Sequence, residues 1–113
     1  MSRDYKLYLQ DILNASENIA DYTSGLSFGA FSGDKMRVNA VERNLEIIGE
    51  AVKGIPHEIR NNSPDIDWRG YAGLRDILIH QYFRVNLNVI WDVVENELPL
   101  LRQEVTNILA QES

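Results

Sequence analysis

Residues 87–108 read LNVIWDVVENELPLLRQEVTNI, and within them Leu87, Trp91, Val94, Leu98, Leu101, Val105 and Ile108 recur at spacings of four and three. That period puts seven apolar side chains on one face of a helix. Such a stripe needs a partner surface, because its stabilising contribution comes from removing that face from water. Pro99 interrupts the run. It has no N–H to donate and disfavours helical geometry at the preceding residue, so the pattern predicts a kink or break near Leu98, with two helices sharing one face. Asn86 stands where a helix cap belongs.

Working outward from this seam, the same period appears twice more upstream. Tyr8, Ile12, Ala15, Ile19 and Tyr22, widened by Tyr5 and Leu9, mark a first amphipathic helix. Val38, Val41, Leu45, Ile48 and Val52 mark a second, starting near Asp34 and stopped by Gly54 and Pro56. Between them, residues 23–33 are rich in Gly and Ser and read as a loop whose aromatics dip back onto the core. Residues 56–67 contain Asn61-Asn62-Ser63-Pro64 and read as a turn-rich connection, with one helical turn at His57 to Arg60. Asp67 then caps a third helix through Tyr71, Leu74, Ile77 and Leu78, which runs to His80 or Tyr82. No strand-like alternation or internal repeat competes. The expectation is an all-α chain, one domain over residues 1–113, folded as an antiparallel bundle of four to five helices. The C-terminal seam is closed either within one chain or by a second copy in a homodimer.

Composition narrows the function classes. The 113 residues contain no cysteine, which removes disulfide scaffolds and thiolate metal sites and points to a reducing cytoplasm. No apolar run is long enough to span a membrane, and the first residues lack the apolar stretch of a secretion signal. A net charge of −6 argues against a protein that coats nucleic acid non-specifically, since every phosphate contact needs a cation. The charge is unevenly spread. Residues 60–84 hold four arginines against three acids, whereas residues 1–59 hold six cations against nine acids and residues 85–113 one against five. A local arginine cluster on an acidic body suits an enzyme that grips one phosphate.

That stretch contains Leu74-Arg75-Asp76-Ile77-Leu78-Ile79-His80-Gln81-Tyr82-Phe83, where four polar groups interrupt an apolar run at a helix end. On an ideal helix Asp76 and His80 share a face, and Arg75 and Tyr82, seven apart, are nearly eclipsed. Asp76 is then placed to accept from one imidazole nitrogen, fixing the His80 tautomer and raising the basicity of the other nitrogen. Arg75 and His80 point about 140° apart, so they converge only if the helix loosens or a second copy supplies one of them. The pair has the chemistry of RNA cleavage. Arg75 offers a planar fork for a phosphodiester, His80 is a residue type suited to general acid or base work, and the 2′-hydroxyl of RNA is a built-in nucleophile that needs no metal. DNA, lacking that hydroxyl, is expected to be spared. The competing account is structural: cations near a helix C-terminus also bond its last carbonyls and favour its dipole.

The run from Arg75 to Tyr82 resembles the signature of HepT-like proteins of the HEPN superfamily, in which Arg, a polar residue, three residues, His, any residue and Tyr follow in order. Arg43-Asn44-Leu45-Glu46-Ile47-Ile48-Gly49-Glu50-Ala51, Pro64-Asp65-Ile66-Asp67-Trp68, Ile90-Trp91 and Leu98-Pro99 look like landmarks of the same family, so the resemblance covers nearly the whole chain. Gln81 departs from it, standing where many relatives have Gly. The resemblance implies a HEPN-like homodimer in which two copies of the motif meet in a cleft and cut RNA without metal. It also implies a toxin–antitoxin module, in which an MntA-like nucleotidyltransferase antitoxin silences the toxin by adding AMP to the motif tyrosine, here Tyr82.

Arg75, Asp76 and His80 are therefore the candidate catalytic residues. Arg69 and Arg84 flank the motif as candidates for neighbouring phosphates, and Phe83 for stacking on a base. His57 has no acid or second histidine at ligand spacing, so neither a metal site nor a cofactor is expected. Trp68 and Trp91 fit core positions, and Glu42, Arg43, Glu46 and Glu50 read as a solvated charged face or as support for the cleft. The alternative function is a non-catalytic helical partner subunit of a nucleotidyltransferase.

Overall fold

The computed structural model describes residues 3–112, and every regular element among them is helical. The elements are α1 (Tyr5–Thr23), α2 (Phe28–Ser32), α3 (Lys35–Val52), α4 (His57–Asn61), α5 (Trp68–His80), α6 (Leu87–Asp92) and α7 (Leu98–Glu112). A 3₁₀ turn at Tyr82–Arg84 follows α5, and a π segment at Val93–Glu97 joins α6 to α7. Short acidic or amide side chains start the long helices by taking otherwise orphaned backbone donors. Asp4 accepts from the Lys6 amide at 3.0 Å, Asp34 from Arg37 at 3.2 Å, Asp67 from Gly70 at 3.0 Å and Asn86 from Asn88 at 2.8 Å.

Helix α3 lies between α1 and α5, and α7 packs on α1. The α1–α3 pair is antiparallel: Arg37, at the start of α3, donates to the Tyr22 carbonyl at the end of α1 (2.7 Å), while Gly54, just past α3, lies against the Tyr8 ring. Midway, the Asn18 amide donates to Asn44 at 3.2 Å. The core is formed by the apolar stripes of the sequence: Leu9, Ile12 and Ile19 from α1, Val41, Leu45, Ile48 and Val52 from α3, and Leu101 and Val105 from α7 are all buried. Each such side chain contributes about 1.5–3 kcal/mol relative to exposure.

Three local expectations are corrected. The Gly/Ser-rich stretch is not simply a loop: Ser27 caps one helical turn, and α2 carries Phe31 into the core, where it stacks on Trp91 with ring centroids 5.0 Å apart. Of the kink or break expected near Leu98, the break does not occur, and a π segment ends at that point instead. The π segment widens the helix so that the Leu98 amide donates to the Val93 carbonyl, five residues back, and the helical path continues into α7 through a proline that lacks an N–H. The extra residue also resets the seam. Leu98, Leu101, Val105 and Ile108 are buried as the spacing predicted, but upstream the fully enclosed positions are Ile90 and Val93, with Leu87, Trp91 and Val94 only half-buried beside them.

Candidate active site

Helix α5 carries the motif and presents it on two different sides. Arg75 is turned toward α3, where Gly49 has no side chain and the two backbones approach closely. Its side chain is about three-quarters covered and reaches two carboxylates: Nη1 donates to Asp76 Oδ1 at 2.9 Å, and Nε lies 3.2 Å from Glu50 Oε2. That second contact has ion-pair distance without hydrogen-bond alignment, so Nε is buried and lacks a proper acceptor. The guanidinium is thus a forked cation held by acids, with its buried Nε lacking an aligned acceptor. Arg3 and Arg43 line the same cleft of about 200 Å³, balanced by Asp11, Glu46 and Glu50.

Asp76 does not bond His80. Its Oδ1 accepts from Arg75 and, at 3.4 Å, from Lys53. Two cations attract a carboxylate more strongly than a neutral imidazole does, and they hold the Asp76 carboxyl below its ordinary range, Arg75 foremost. His80 ends α5 exposed, and no hydrogen bond or ion pair joins it to Arg75 among the described residues. The α5 geometry keeps the expected divergence, because the helix is regular from Trp68 to His80. The expected eclipse of Tyr82 over Arg75 does not form. Gln81, at φ −139° and ψ 43°, leaves helical geometry, and Tyr82 enters the 3₁₀ turn.

Beyond that bend, Tyr82 and Phe83 are 76% and 75% exposed and meet edge to face at 6.0 Å. Arg84 folds back to donate to the Gln81 side-chain oxygen at 2.8 Å. Arg69 stands apart: it lies at the opposite end of α5, in a shallow depression with His57 and Arg60, about 16 Å along the helix from His80 at 1.5 Å per residue. Trp68 is core, its indole N–H donating to the Ser63 carbonyl at 3.1 Å. No group of three or more His, Asp or Glu side chains is arranged to hold a metal among the described residues.

On the side of α5 away from Arg75, a groove of about 380 Å³ separates it from α6 and the π segment. Leu74, Ile77, Val89 and Val93 form its walls. One end is polar, with Asp67, Tyr71 and Glu97. Burial, and then the charges of Glu97 and Asp67, push the Tyr71 phenol up beyond its ordinary range. Burial and the neighbouring Asp67 and Asp92 likewise raise the Glu97 carboxyl.

The sequence from Ile12 to Ile108 matches the model of the ribonuclease HepT-like family. The chain belongs to the HepT-like ribonuclease family. Relatives with this HepT-like sequence include a probable ribonuclease HepT of Thermococcus cleftensis, 45% identical over 102 residues that make up 90% of this chain and 93% of the relative. A candidate RNase of Methanocaldococcus jannaschii is 43% identical over 107 residues, 95% of this chain and 88% of the relative. Another, from Caldanaerobacter subterraneus subsp. tengcongensis, is 43% identical over 105 residues, 93% and 94% of the two chains. No solved structure matches the chain. Sequence reasoning about this HepT-like chain gave Gly49 and Lys53 no role and left Glu50 between a solvated face and support for the cleft. The available signal was their register: residues 46, 49, 50 and 53 share one side of α3, the side that receives Arg75.

Proposed function

We propose that this chain is the toxin half of a toxin–antitoxin module, a metal-independent endoribonuclease that works as a homodimer. The observation that carries the reading is the placement of Arg75 and His80 on different sides of one regular helix, within a family named for ribonuclease activity. One chain offers a phosphate clamp without a base beside it. A second copy docking on the apolar side chains left exposed at this end, Ile79 and Phe83, would bring its own His80 to the Arg75 cleft.

In the assembled site the imidazole takes the proton of the RNA 2′-hydroxyl, whose oxygen attacks the adjacent phosphorus. The bond to the 5′-oxygen breaks, that oxygen takes a proton from an imidazolium or water, and a 2′,3′-cyclic phosphate remains. Arg75 donates to the phosphorane oxygens as their charge grows. Asp76 acts by holding Arg75, not by orienting His80. Phe83 offers a stacking face, and Arg84 a cation for a neighbouring phosphate.

Regulation fits the exposure of Tyr82. Its phenol stands clear of the fold, open to an MntA-like nucleotidyltransferase that transfers AMP from ATP to the oxygen and releases pyrophosphate. The added phosphate would place negative charge and bulk where RNA must enter. Purified protein freed of its antitoxin is expected to degrade RNA, and His80→Ala to abolish that activity. A folded, dimeric wild type that leaves total RNA and transfer RNA intact defeats the reading.

A further inference from the structure

The groove on the far side of α5 has three features that packing within the chain does not account for, although one Asp67 oxygen also caps the helix through the Gly70 amide. Tyr71 is 5% exposed and its hydroxyl is buried without a partner, an arrangement that costs stability unless something else bonds it. Asp67 and Glu97 bring two carboxylates to the same end, and no Lys or Arg pairs with either among the described residues. Gly73 lines the groove in mid-helix, where an added Cβ would meet nothing within 4 Å. Glycine there sacrifices helix stability relative to alanine, and packing within the chain does not demand it. A bare surface keeps the groove open.

We propose that this groove is a base-binding subsite, taking the nucleobase on the 5′ side of the scissile phosphate and selecting bases with an exocyclic amino group over uracil. The inference rests on the ribonuclease reading. Apolar walls suit the faces of a planar ring, and the volume lies in the range of small-molecule sites. Carboxylates accept from exocyclic amines, as Asp and Glu do from cytosine N4. The Tyr71 hydroxyl can donate to the ring nitrogen or carbonyl beside that amine. Uracil has one ring N–H and two carbonyls, and it sets a lone pair against the carboxylates where the other bases offer a donor.

The groove's direction ties it to the chemistry. Gly73 and His80 are seven residues apart on one regular helix, so they lie nearly in line on the same side, about 10 Å apart along the axis. A nucleotide with its base beside Tyr71 and Gly73 directs its phosphate toward His80 and Arg84. Charge favours that orientation, since the acidic end repels phosphate and the basic end attracts it. A simple organic cation would satisfy the carboxylates but would not distinguish one base from another.

The test is titration of the intact protein with the four nucleoside 3′-monophosphates, followed by amide NMR at Gly70 and Gly73. The adenine, cytosine and guanine nucleotides are expected to bind at least about tenfold tighter than the uridine nucleotide. Glu97→Gln should narrow that gap, and Tyr71→Phe should weaken the favoured ligands about five- to tenfold. Gly73→Leu should abolish binding with a melting temperature equal to or above wild type, which separates blocking from misfolding. Equal affinity for all four nucleotides, shifts confined to other residues, or competition by spermidine without base preference overturns the proposal. If Gly73→Leu cleaves RNA at the wild-type rate and with unchanged base preference, the subsite fails while the ribonuclease reading stands. Base-selective binding in a protein that cuts no RNA has the opposite meaning.

Discussion

Gly49 on α3 and Arg75 on α5 meet where the two helices approach closely: a methyl group on Gly49 would collide with the Arg75 Cβ and stand 2.5 Å from the Tyr71 carbonyl oxygen. The arginine is thus positioned by the absence of a side chain opposite it. Gly49→Ala is expected to force α5 away, lowering stability by about 1–3 kcal/mol and shifting the guanidinium from Glu50. Thermal unfolding should show a drop of several degrees, and a melting temperature equal to wild type would contradict the packing.

Arg75→Lys keeps the charge but loses the planar fork that reaches Asp76 and, in the proposed site, would hold the phosphate at the same time. RNA cleavage should fall by about 10²- to 10³-fold in kcat, the range for removing one transition-state donor. Single-turnover assays measure this directly. Retention of more than a third of the rate would mean that the guanidinium is not aimed at the reacting phosphate.

The Asp76 carboxyl is held below its ordinary range by Arg75 and Lys53, so it ionises more readily in the folded chain than in the unfolded one. Its contribution to stability is complete above the unfolded pKa and is lost as pH falls through the lower, folded value. Wild type and Asp76→Asn should therefore differ at neutral pH and converge in acid below the usual aspartate range. Because the Asp76 carboxylate is exposed, the difference should be small and shrink with added salt. Urea unfolding at a series of pH values gives the comparison, and a gap that persists in strong acid would count against it.

The seam's register can be tested by truncation. Ile90 is fully buried and Leu87 only partly, although the heptad spacing marks Leu87 and not Ile90. Ile90→Ala should cost about 2–5 kcal/mol, and Leu87→Ala distinctly less. The reverse order in denaturant midpoints would restore an uninterrupted four-and-three seam.

How far each element was legible follows from the range of the forces that make it. The stripes of α1, α3 and α7 could be read because period 3.6 is a local property, and Asp67 and Asn86 could be read as caps because they bond amides two or three residues ahead. The one-turn helix α2 was less legible, since Phe31 is fixed by Trp91, sixty residues away. The π segment was hidden as well: Pro99 signalled a disturbance, but whether the helix breaks or widens depends on which carbonyl the Leu98 amide can reach.

The candidate site divides the same way. The sequence by itself determined the helical class, the motif from Arg75 to Tyr82 and the angle between Arg75 and His80, because residues a few positions apart on a regular helix have their geometry fixed by the backbone. Only the tertiary structure decided that Asp76 turns to Arg75 and Lys53, that Gly49 admits Arg75, and that Tyr71, Gly73 and Glu97 share a groove. Those outcomes come from competition among charges and surfaces that meet only after α3, α5 and the π segment have packed, and no local spacing encodes which of them prevails.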